Sequence, residues 1–443
     1  MAMKLFLKGL FDRTKASSFL KNILVVMAGT GAAQIISLVL VPILSRLFSP
    51  SDFGIAGSFG AVAGIIGAAV TLEYSQAIML PKEKEHALGL LGVSLTSTVL
   101  VSALTLLICI LAPGTMNGLM KTQGLWPLAL LVGSIFIGGV SVSCQAWAVR
   151  MKAFKKTSSS QVIRSLTGKG MSIGFGLLDF GAPGLIIGDA IGNIAASVNL
   201  VRVLRPDLRG LKEQSSRANL RRLARDYHDF PLYSASQNVI NALSGGLPII
   251  LLTRSFGLPI AGAYAFAMNV LTFPMGFVLS ALRQVLFQKA SESQHQGRSL
   301  SALYVKVTAT LFAMALAPTT IIIIWGPKLF AWFFGAQWYT AGELSRSLMI
   351  WMAVVFCNLP AVLFGRIIRI QRFVFFYDLS LLAARTTALV LGGLFLSAPQ
   401  TVMTYALVGA VMNVFLILSV GRAVMRREGT ASLDNLRDLM IGD

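Results

Sequence analysis

Long apolar segments alternate with short polar segments along the whole chain. Each apolar segment is about 20 residues long, enough to cross a hydrocarbon core of ~30 Å as a helix. Twelve such segments are predicted, at residues 22–44, 53–75, 87–111, 125–149, 160–180, 182–204, 232–253, 259–283, 302–325, 341–365, 373–397 and 400–422. The pattern predicts an all-α integral membrane protein with twelve transmembrane helices.

The longest polar interruption, residues 202–231, divides these segments into two sets of six and carries eight Lys and Arg residues. Cations beside membrane spans are retained on the cytoplasmic side. The interruption is therefore predicted to be a cytoplasmic connector. A solvated linker and a segment that contacts anionic lipids both agree with its composition.

The distribution of the other cations predicts the orientation. With twelve spans and a cytoplasmic N-terminus, 29 of the 38 Lys and Arg residues fall in cytoplasmic segments and five on the opposite side. Both termini are therefore expected in the cytoplasm.

Five regions follow from this topology. They are an amphipathic cytoplasmic N-terminus at 1–21, an N-terminal six-helix lobe at 22–204, a basic cytoplasmic linker at 205–231, a C-terminal six-helix lobe at 232–424 and a cytoplasmic tail at 425–443.

Composition excludes several classes of protein. The 443 residues are 55% hydrophobic and only 13% charged, with a mean hydropathy of +0.73, whereas soluble proteins carry about 25% charged residues. The net charge of +20 is explained by the cytoplasmic cations, so no nucleic-acid partner is expected. Three Cys and three His residues are scattered without motif spacing, which argues against a disulfide framework, a metal site and a catalytic set. No enzyme activity is expected.

An internal repeat links the two halves. Residues 42–54 (PILSRLFSPSDFG) and residues 248–262 (PIILLTRSFGLPIAG) each contain Arg, Phe two positions later and Gly eight positions later. The repeat predicts two pseudo-symmetric six-helix bundles of the same orientation, with a cleft between them. Transporters built from repeats bind substrate near the bilayer midplane and alternate access by rocking.

Several sequence blocks resemble the polysaccharide transporter family, the Wzx-type oligosaccharide flippases of the MOP superfamily. These blocks are residues 42–54, 72–81 (LEYSQAIMLP), 145–155 (QAWAVRMKAFK), 226–233 (DYHDFPLY), 286–290 (LFQKA) and 334–338 (FGAQW). Similar sequences often read Arg-Tyr-Glu where this chain has Glu73, Tyr74 and Ser75, so no role is transferred to that acidic position.

The resemblance implies a V-shaped, MATE-like bundle of twelve helices in a bacterial inner membrane. It implies a flippase that moves an undecaprenyl-pyrophosphate-linked oligosaccharide, for O-antigen or exopolysaccharide, from the cytoplasmic to the periplasmic leaflet through a cationic central cavity. The expected partners are this substrate, membrane lipids and the polymerase and chain-length proteins of polysaccharide synthesis.

Such a substrate needs cations for its phosphates and amides for its sugars. The cationic candidates are Arg164, Lys169, Arg283 and Arg385 within spans, and Arg46 at the outer mouth. The candidate sugar contacts are Gln34, Asn241 and Asn269, on spans that border the cleft in this superfamily. Alternatives remain open: Arg164 or Lys169 neutralises Asp189, Arg385 pairs with another helix, and the amides form interhelical hydrogen bonds.

Two carboxylates within spans, Glu73 and Asp189, are candidates for coupling to H⁺ or Na⁺. A fixed salt bridge at either position is the alternative. No other cofactor, no metal and no catalytic residue are expected.

Two other functions compete with the flippase. A multidrug antiporter of the same superfamily shares the twelve-span architecture, but a cationic cavity repels the organic cations that such pumps export. A membrane-embedded glycosyltransferase or O-antigen ligase needs a catalytic acid or base and a large periplasmic loop, and the predicted outer loops are short.

Overall fold

The described part of the chain is helical throughout. A computed structural model describes the backbone of residues 18–295, 299–368 and 370–441, and the side chains from residue 31 onward except at 277, 280–281, 283–285, 287–298, 369, 371 and 429–443. Its α-helices are α1 (Ser18–Leu47), α2 (Pro50–Gly67), α3 (Tyr74–Ala77), α4 (Lys84–Leu111), α5 (Pro113–Met120), α6 (Trp126–Arg150), α7 (Phe154–Leu177), α8 (Ala182–Leu204), α9 (Leu208–Gln214), α10 (Arg217–Asp226), α11 (Ser236–Phe256), α12 (Leu258–His295), α13 (Leu300–Phe334), α14 (Tyr339–Cys357), α15 (Leu359–Ile367), α16 (Gln371–Phe395) and α17 (Ala398–Ile441). The predicted fold class is confirmed, whereas the predicted amphipathic segment at 1–21 lies almost entirely outside the described residues.

Nine helical segments of the described chain are long and apolar enough to cross a membrane. The predicted number of twelve spans therefore remains a prediction. One predicted span that is not among the nine lies on α7, which carries a row of hydroxyl, amide and cationic side chains in its first four turns.

Two predicted spans differ from the helices in their bounds. The span predicted at 53–75 ends as a helix at Gly67, and the chain then turns through Leu72 and Glu73, whose φ angles are 46° and 62°. These left-handed conformations are incompatible with a continuing right-handed helix. The span predicted at 341–365 is interrupted at Asn358, between α14 and α15.

The chain forms two compact units. Of the described residues, the first contains 18–44, 63–118 and 122–238, and the second contains 45–62, 119–121 and those from 239 onward. Residues 45–62 thus belong with the C-terminal half, although they precede most of the N-terminal half in sequence.

The basic linker is folded onto the first unit. Leu223 of α10 is 1% exposed and lies against Gly89 of α4, where an added Cβ would come within 2.4 Å of the leucine side chain. Just before the linker helices, Asp207 accepts a hydrogen bond from Trp147 Nε1 at 3.1 Å and forms an ion pair with Lys84. The linker is therefore a docked helical element whose arginines face outward.

An aromatic cluster forms a core of the second unit. The rings of Phe266 and Trp338 stack with centroids 3.8 Å apart, and Phe53 meets both rings edge to face. Trp338 Nε1 donates a 2.7 Å hydrogen bond to the carbonyl of Ser45. Aromatic pairs of this geometry contribute about 0.5–1.5 kcal/mol beyond their buried area.

The two copies of the internal repeat meet where helices α2 and α12 cross in the second unit. A Cβ added at Gly54 of α2 would lie 2.3 Å from the carbonyl oxygen of Leu258, and one added at Gly262 of α12 would lie 1.7 Å from that of Pro50. Each glycine thus meets the first residue of the other helix. The two repeated glycines allow this close backbone contact, which any side chain would block.

Candidate functional site

Helix α7 presents one polar face. Seven of its residues recur at spacings of three and four, which places them on one side of the helix. These residues are Thr157, Ser160, Gln161, Arg164, Ser165, Gly168 and Lys169. A polar face on a helix between apolar spans needs a wet or polar neighbour.

Helix α8 packs against α7 through glycines. A Cβ added at Gly192 would lie 2.7 Å from the carbonyl oxygen of Arg164, and one added at Gly188 would lie 2.2 Å from the hydroxyl of Ser172. Small residues four apart let two helices touch along their backbones. This contact brings Asp189 and Asn193 of α8 to the polar face of α7.

Helices α1 and α6 complete the walls. Gln34 and Ser37 come from α1, and Ser141 and Gln145 come from α6. Ser37 Oγ lies 2.7 Å from Ser165 Oγ, which donates a 2.9 Å hydrogen bond to the carbonyl of Ala33 and so links α1 to α7. The four helices line an open cavity of about 420 Å³ within the first unit. This volume lies in the range of sites for small organic ligands, about 300–1,000 Å³.

The cavity carries a net positive charge. Arg164 Nη2 lies 4.0 Å from Asp189 Oδ2, and both side chains are more than half exposed, so the pair is solvated and weak. Asn193 Nδ2 also donates to Asp189 Oδ2 at 3.3 Å. Lys169 has no carboxylate oxygen within 4.0 Å among the described residues, so its charge is not offset by an ion pair.

Amide and hydroxyl groups make up most of the polar wall. Gln34, Gln145 and Gln161 each present both hydrogen-bond donors and acceptors to the cavity. Thr157 is 4% exposed, and its Oγ1 has no hydrogen-bond partner in the described chain. These groups can replace water around the hydroxyls of a sugar.

The cavity brings together four of the ten predicted site residues: Gln34, Arg164, Lys169 and Asp189. The sequence alone left two interpretations open for Arg164, Lys169 and Asp189: a ligand site or an ion pair. The structure places all three beside the same cavity. Their predicted roles in binding and coupling stay predictions.

Other predicted site residues do not line this cavity. Arg46, Asn241 and Asn269 are exposed at other positions, on α1, α11 and α12. Arg385 is buried in the second unit, where it contacts aromatic rings. All four residues belong to the second unit, whereas the cavity lies in the first, and their predicted roles stay predictions.

Glu73 is 8% exposed and accepts a hydrogen bond from the side chain of Gln76, three residues later in the same turn. It is not part of the cavity wall. The remaining candidate, Arg283, lies on α12, but its side chain is outside the described residues.

Sequence reasoning missed much of the polar wall. The amides of Gln145, Gln161 and Asn193 were not among the predicted contacts. The signal that identifies them is spacing: Gln161 belongs to the polar face of α7, and Asn193 lies four residues after Asp189 on α8. Searching each predicted span for polar residues at spacings of three and four would have found both.

Two solved structures share the fold. One, described as the lipid II flippase MurJ in an inward closed conformation, superposes with a TM-score of 0.71 at 11% identity, covering 95% of this chain and 93% of that one. The other, an inward-facing multidrug resistance MATE family transporter of the MOP superfamily, gives a TM-score of 0.67 at 15% identity, with coverages of 90% and 96%. At these identities the likeness shows the fold alone.

A curated relative is the succinoglycan biosynthesis transport protein ExoT of Rhizobium meliloti (strain 1021). It is 26% identical over 308 residues, which are 66% of this chain and 60% of that protein. The matched region thus spans three fifths of the relative's length.

A family model described as polysaccharide biosynthesis protein matches residues 43–343, which is more than half of the chain. The match begins within the 42–54 motif and contains the cavity residues of α6, α7 and α8. Together with the nine apolar segments of the described chain that are long enough to span a membrane, it confirms the resemblance seen in the sequence. The chain is a multi-pass membrane protein that belongs to the polysaccharide biosynthesis protein family, with the all-helical fold of MOP superfamily transporters.

Proposed function

We propose that this protein is a flippase for a lipid-linked oligosaccharide. Its substrate is an undecaprenyl-pyrophosphate-linked repeat unit, moved from the cytoplasmic to the periplasmic leaflet of a bacterial inner membrane. Membership of the polysaccharide biosynthesis protein family supports this proposal, as does the relative named as a succinoglycan biosynthesis transport protein. The fold shared with a lipid II flippase agrees with it.

The observation that carries the proposal is the chemistry of the cavity wall. Arg164 and Lys169 supply positive charge to an anionic group, and the guanidinium can bind phosphate oxygens with two parallel hydrogen bonds. The amides of Gln34, Gln145 and Gln161 can bind sugar hydroxyls. A wall that combines two cations with several neutral polar groups matches a phosphate-bearing sugar.

The same wall argues against a multidrug antiporter. An organic cation needs an acidic or aromatic site, whereas Asp189 is the one carboxylate among the described lining residues and lies beside Arg164. Two cations therefore outnumber the carboxylate. A lipophilic cation in this cavity would meet net repulsion, as long as Asp189 stays paired.

Asp189 is the better placed of the two coupling candidates. It shares the cavity with Arg164, so a bound anionic substrate competes with it for the guanidinium. Release of Asp189 would free a carboxylate for H⁺ or Na⁺, which links substrate binding to an ion. Alternating access between the two halves, as expected from the repeat, remains a prediction.

Complementation of a deletion strain tests the proposal. We expect Lys169→Glu to cause lipid-linked saccharide to accumulate on the cytoplasmic leaflet and surface polysaccharide to fall, because the substituted carboxylate repels the phosphate. Lys306→Glu is the matched control, since Lys306 is an exposed lysine of α13 that does not line the cavity. Normal polysaccharide in the deletion strain, with altered efflux of cationic dyes, would reject the flippase and favour the antiporter.

A further inference from the structure

Arg385 is a buried cation in the second unit. It lies in α16, on a segment long and apolar enough to span a membrane, and only 6% of it is exposed. Its guanidinium carbon lies 3.8 Å from the centre of the Trp351 ring and 3.9 Å from that of the Tyr405 ring. Three helices, α14, α16 and α17, thus meet around one charge.

The aromatic rings do not satisfy the hydrogen-bonding groups of this arginine. Cation–π contacts stabilise a desolvated guanidinium by about 2 kcal/mol through its faces, but its N–H groups point outward in the guanidinium plane. Arg385 Nε and Nη2 are buried and have no hydrogen-bond partner among the described residues. The indole Nε1 of Trp351 is also buried without a partner there.

These three groups are all donors and cannot accept a hydrogen bond. No carboxylate oxygen of the described chain lies within 4.0 Å of Arg385. Asp378 is seven residues earlier on α16, about 10 Å along the helix axis, where its charge acts only at long range. The described surroundings of Arg385 therefore leave these donors unpaired and supply no carboxylate within 4.0 Å to offset the charge.

A small cavity adjoins the guanidinium. Its volume is about 10 Å³, and Arg385, Tyr405, Thr386 and Ser244 are among the residues that line it. A space of this size holds about one water-sized particle. Pro248 lacks an N–H group, so the carbonyl of Ser244, four residues earlier in α11, has no helical donor.

Two occupants fit such a space. A water molecule bridging Arg385 to the Ser244 carbonyl would satisfy hydrogen bonds and leave the charge uncompensated. A small anion would accept from the unpaired donors and neutralise the cation, and an uncompensated charge inside a membrane costs several kcal/mol.

We propose that Arg385 forms a binding site for a single small inorganic anion of the chloride class. The anion accepts hydrogen bonds from the guanidinium and occupies the cavity beside Ser244. The site lies in the second unit and goes beyond the proposed transport function, whose cavity is in the first unit.

Thermal unfolding of the purified full chain in detergent tests this site. At constant ionic strength, replacing sodium gluconate by sodium chloride is expected to raise Tm in a saturable manner, because an ion that binds the folded state stabilises it. Arg385→Gln should abolish the chloride-dependent rise. Lys306→Gln, which removes an exposed charge that lines neither cavity, should retain it.

A second variant keeps the charge and tests the guanidinium donors. Arg385→Lys replaces the planar group by an ammonium and loses the Nε and Nη2 donors, so the chloride concentration for half-maximal stabilisation should rise about fivefold, the loss of one hydrogen bond. This readout remains usable if Arg385→Gln does not fold. An identical Tm in chloride and gluconate at every concentration would overturn the proposal in favour of a water-filled cavity, and a chloride effect retained in folded Arg385→Gln would place the anion elsewhere.

Discussion

Arg164 and Arg385 look alike in the sequence, yet their surroundings differ in every respect. Both are single arginines inside predicted spans. The side chain of Arg164 is 55% exposed beside a polar cavity of about 420 Å³, with Asp189 within reach, whereas Arg385 is 6% exposed between two aromatic rings. The role of each arginine therefore depends on the residues around it and not on the type of side chain alone.

The neighbours also determine what each arginine can do. Arg164 lies beside the larger cavity, and its ion pair with Asp189 is weak and solvated. A substrate phosphate can therefore replace Asp189 as its partner. Arg385 is confined on both faces and has room for one small particle. The first unit therefore offers a site for a polar, anionic group of a substrate, and the second offers a site for a single ion.

The largest expected effect comes from separating α7 and α8. Gly192→Leu places a side chain where a Cβ already lies 2.7 Å from the carbonyl of Arg164, so the helices must move apart and the cavity wall is lost. We expect a loss of several kcal/mol in folding free energy, as for severe overpacking, and no detectable transport.

Gly170→Leu is the matched control on the same helix pair, because an added Cβ at Gly170 meets no atom within 4 Å. Expression, Tm and surface polysaccharide measure both variants. Equal behaviour of Gly192→Leu and Gly170→Leu would contradict the close contact of α7 with α8.

Lysine substitutions should change the free energy of unfolding differently at the two arginines. Arg385→Lys loses the planar group stacked between Trp351 and Tyr405, so the free energy of unfolding should fall by about 1–2 kcal/mol. Arg164→Lys keeps a solvated charge, and the free energy should change by less than about 0.5 kcal/mol. Chemical denaturation of each variant gives the result, and a larger loss for Arg164→Lys would reverse the assignment.

A smaller effect is expected at Asp189. Asp189→Asn removes the carboxylate that lies 4.0 Å from Arg164 and keeps the shape of the side chain. Because a competing anion is lost, an anionic lipid-linked saccharide should bind about two- to fivefold more tightly, as for an exposed ion pair. Titration of the purified protein measures this change, with Asp226→Asn on the exposed linker as the control. Weaker binding in Asp189→Asn would show that the carboxylate itself holds the substrate.

Much of the architecture was predictable from the sequence. Apolar runs indicated helices, and the 42–54 motif indicated the family, because both signals are local. Asn241 and Asn269 were predicted at a cleft between the two halves; both are exposed residues of the second unit, and their role in substrate binding stays a prediction. The surroundings of Arg385 could not be predicted, because Trp351 and Tyr405 come from two other helices.

The packing of the basic linker was also not predicted from its charge. Its eight cations suggested a solvated connector, but Leu220, Leu223 and Ala224 recur at spacings of three and four and form an apolar face. That face packs against Gly89 and Gly92 of α4. The interpretation of the linker relied on its charges, whereas its packing onto α4 depends on Leu220 and Leu223.

The substrate-binding role of the cavity is tested most directly by the rate at which a fluorescent undecaprenyl-pyrophosphate-linked oligosaccharide crosses the bilayer of vesicles that contain the purified protein. We expect Arg164→Glu combined with Lys169→Glu to lower this rate about 100-fold or more, since each reversal removes a charge-assisted contact worth about 1.5–3 kcal/mol. Lys306→Glu should leave the rate unchanged. If a folded double variant moves the lipid at the wild-type rate, this cavity does not hold the anionic substrate.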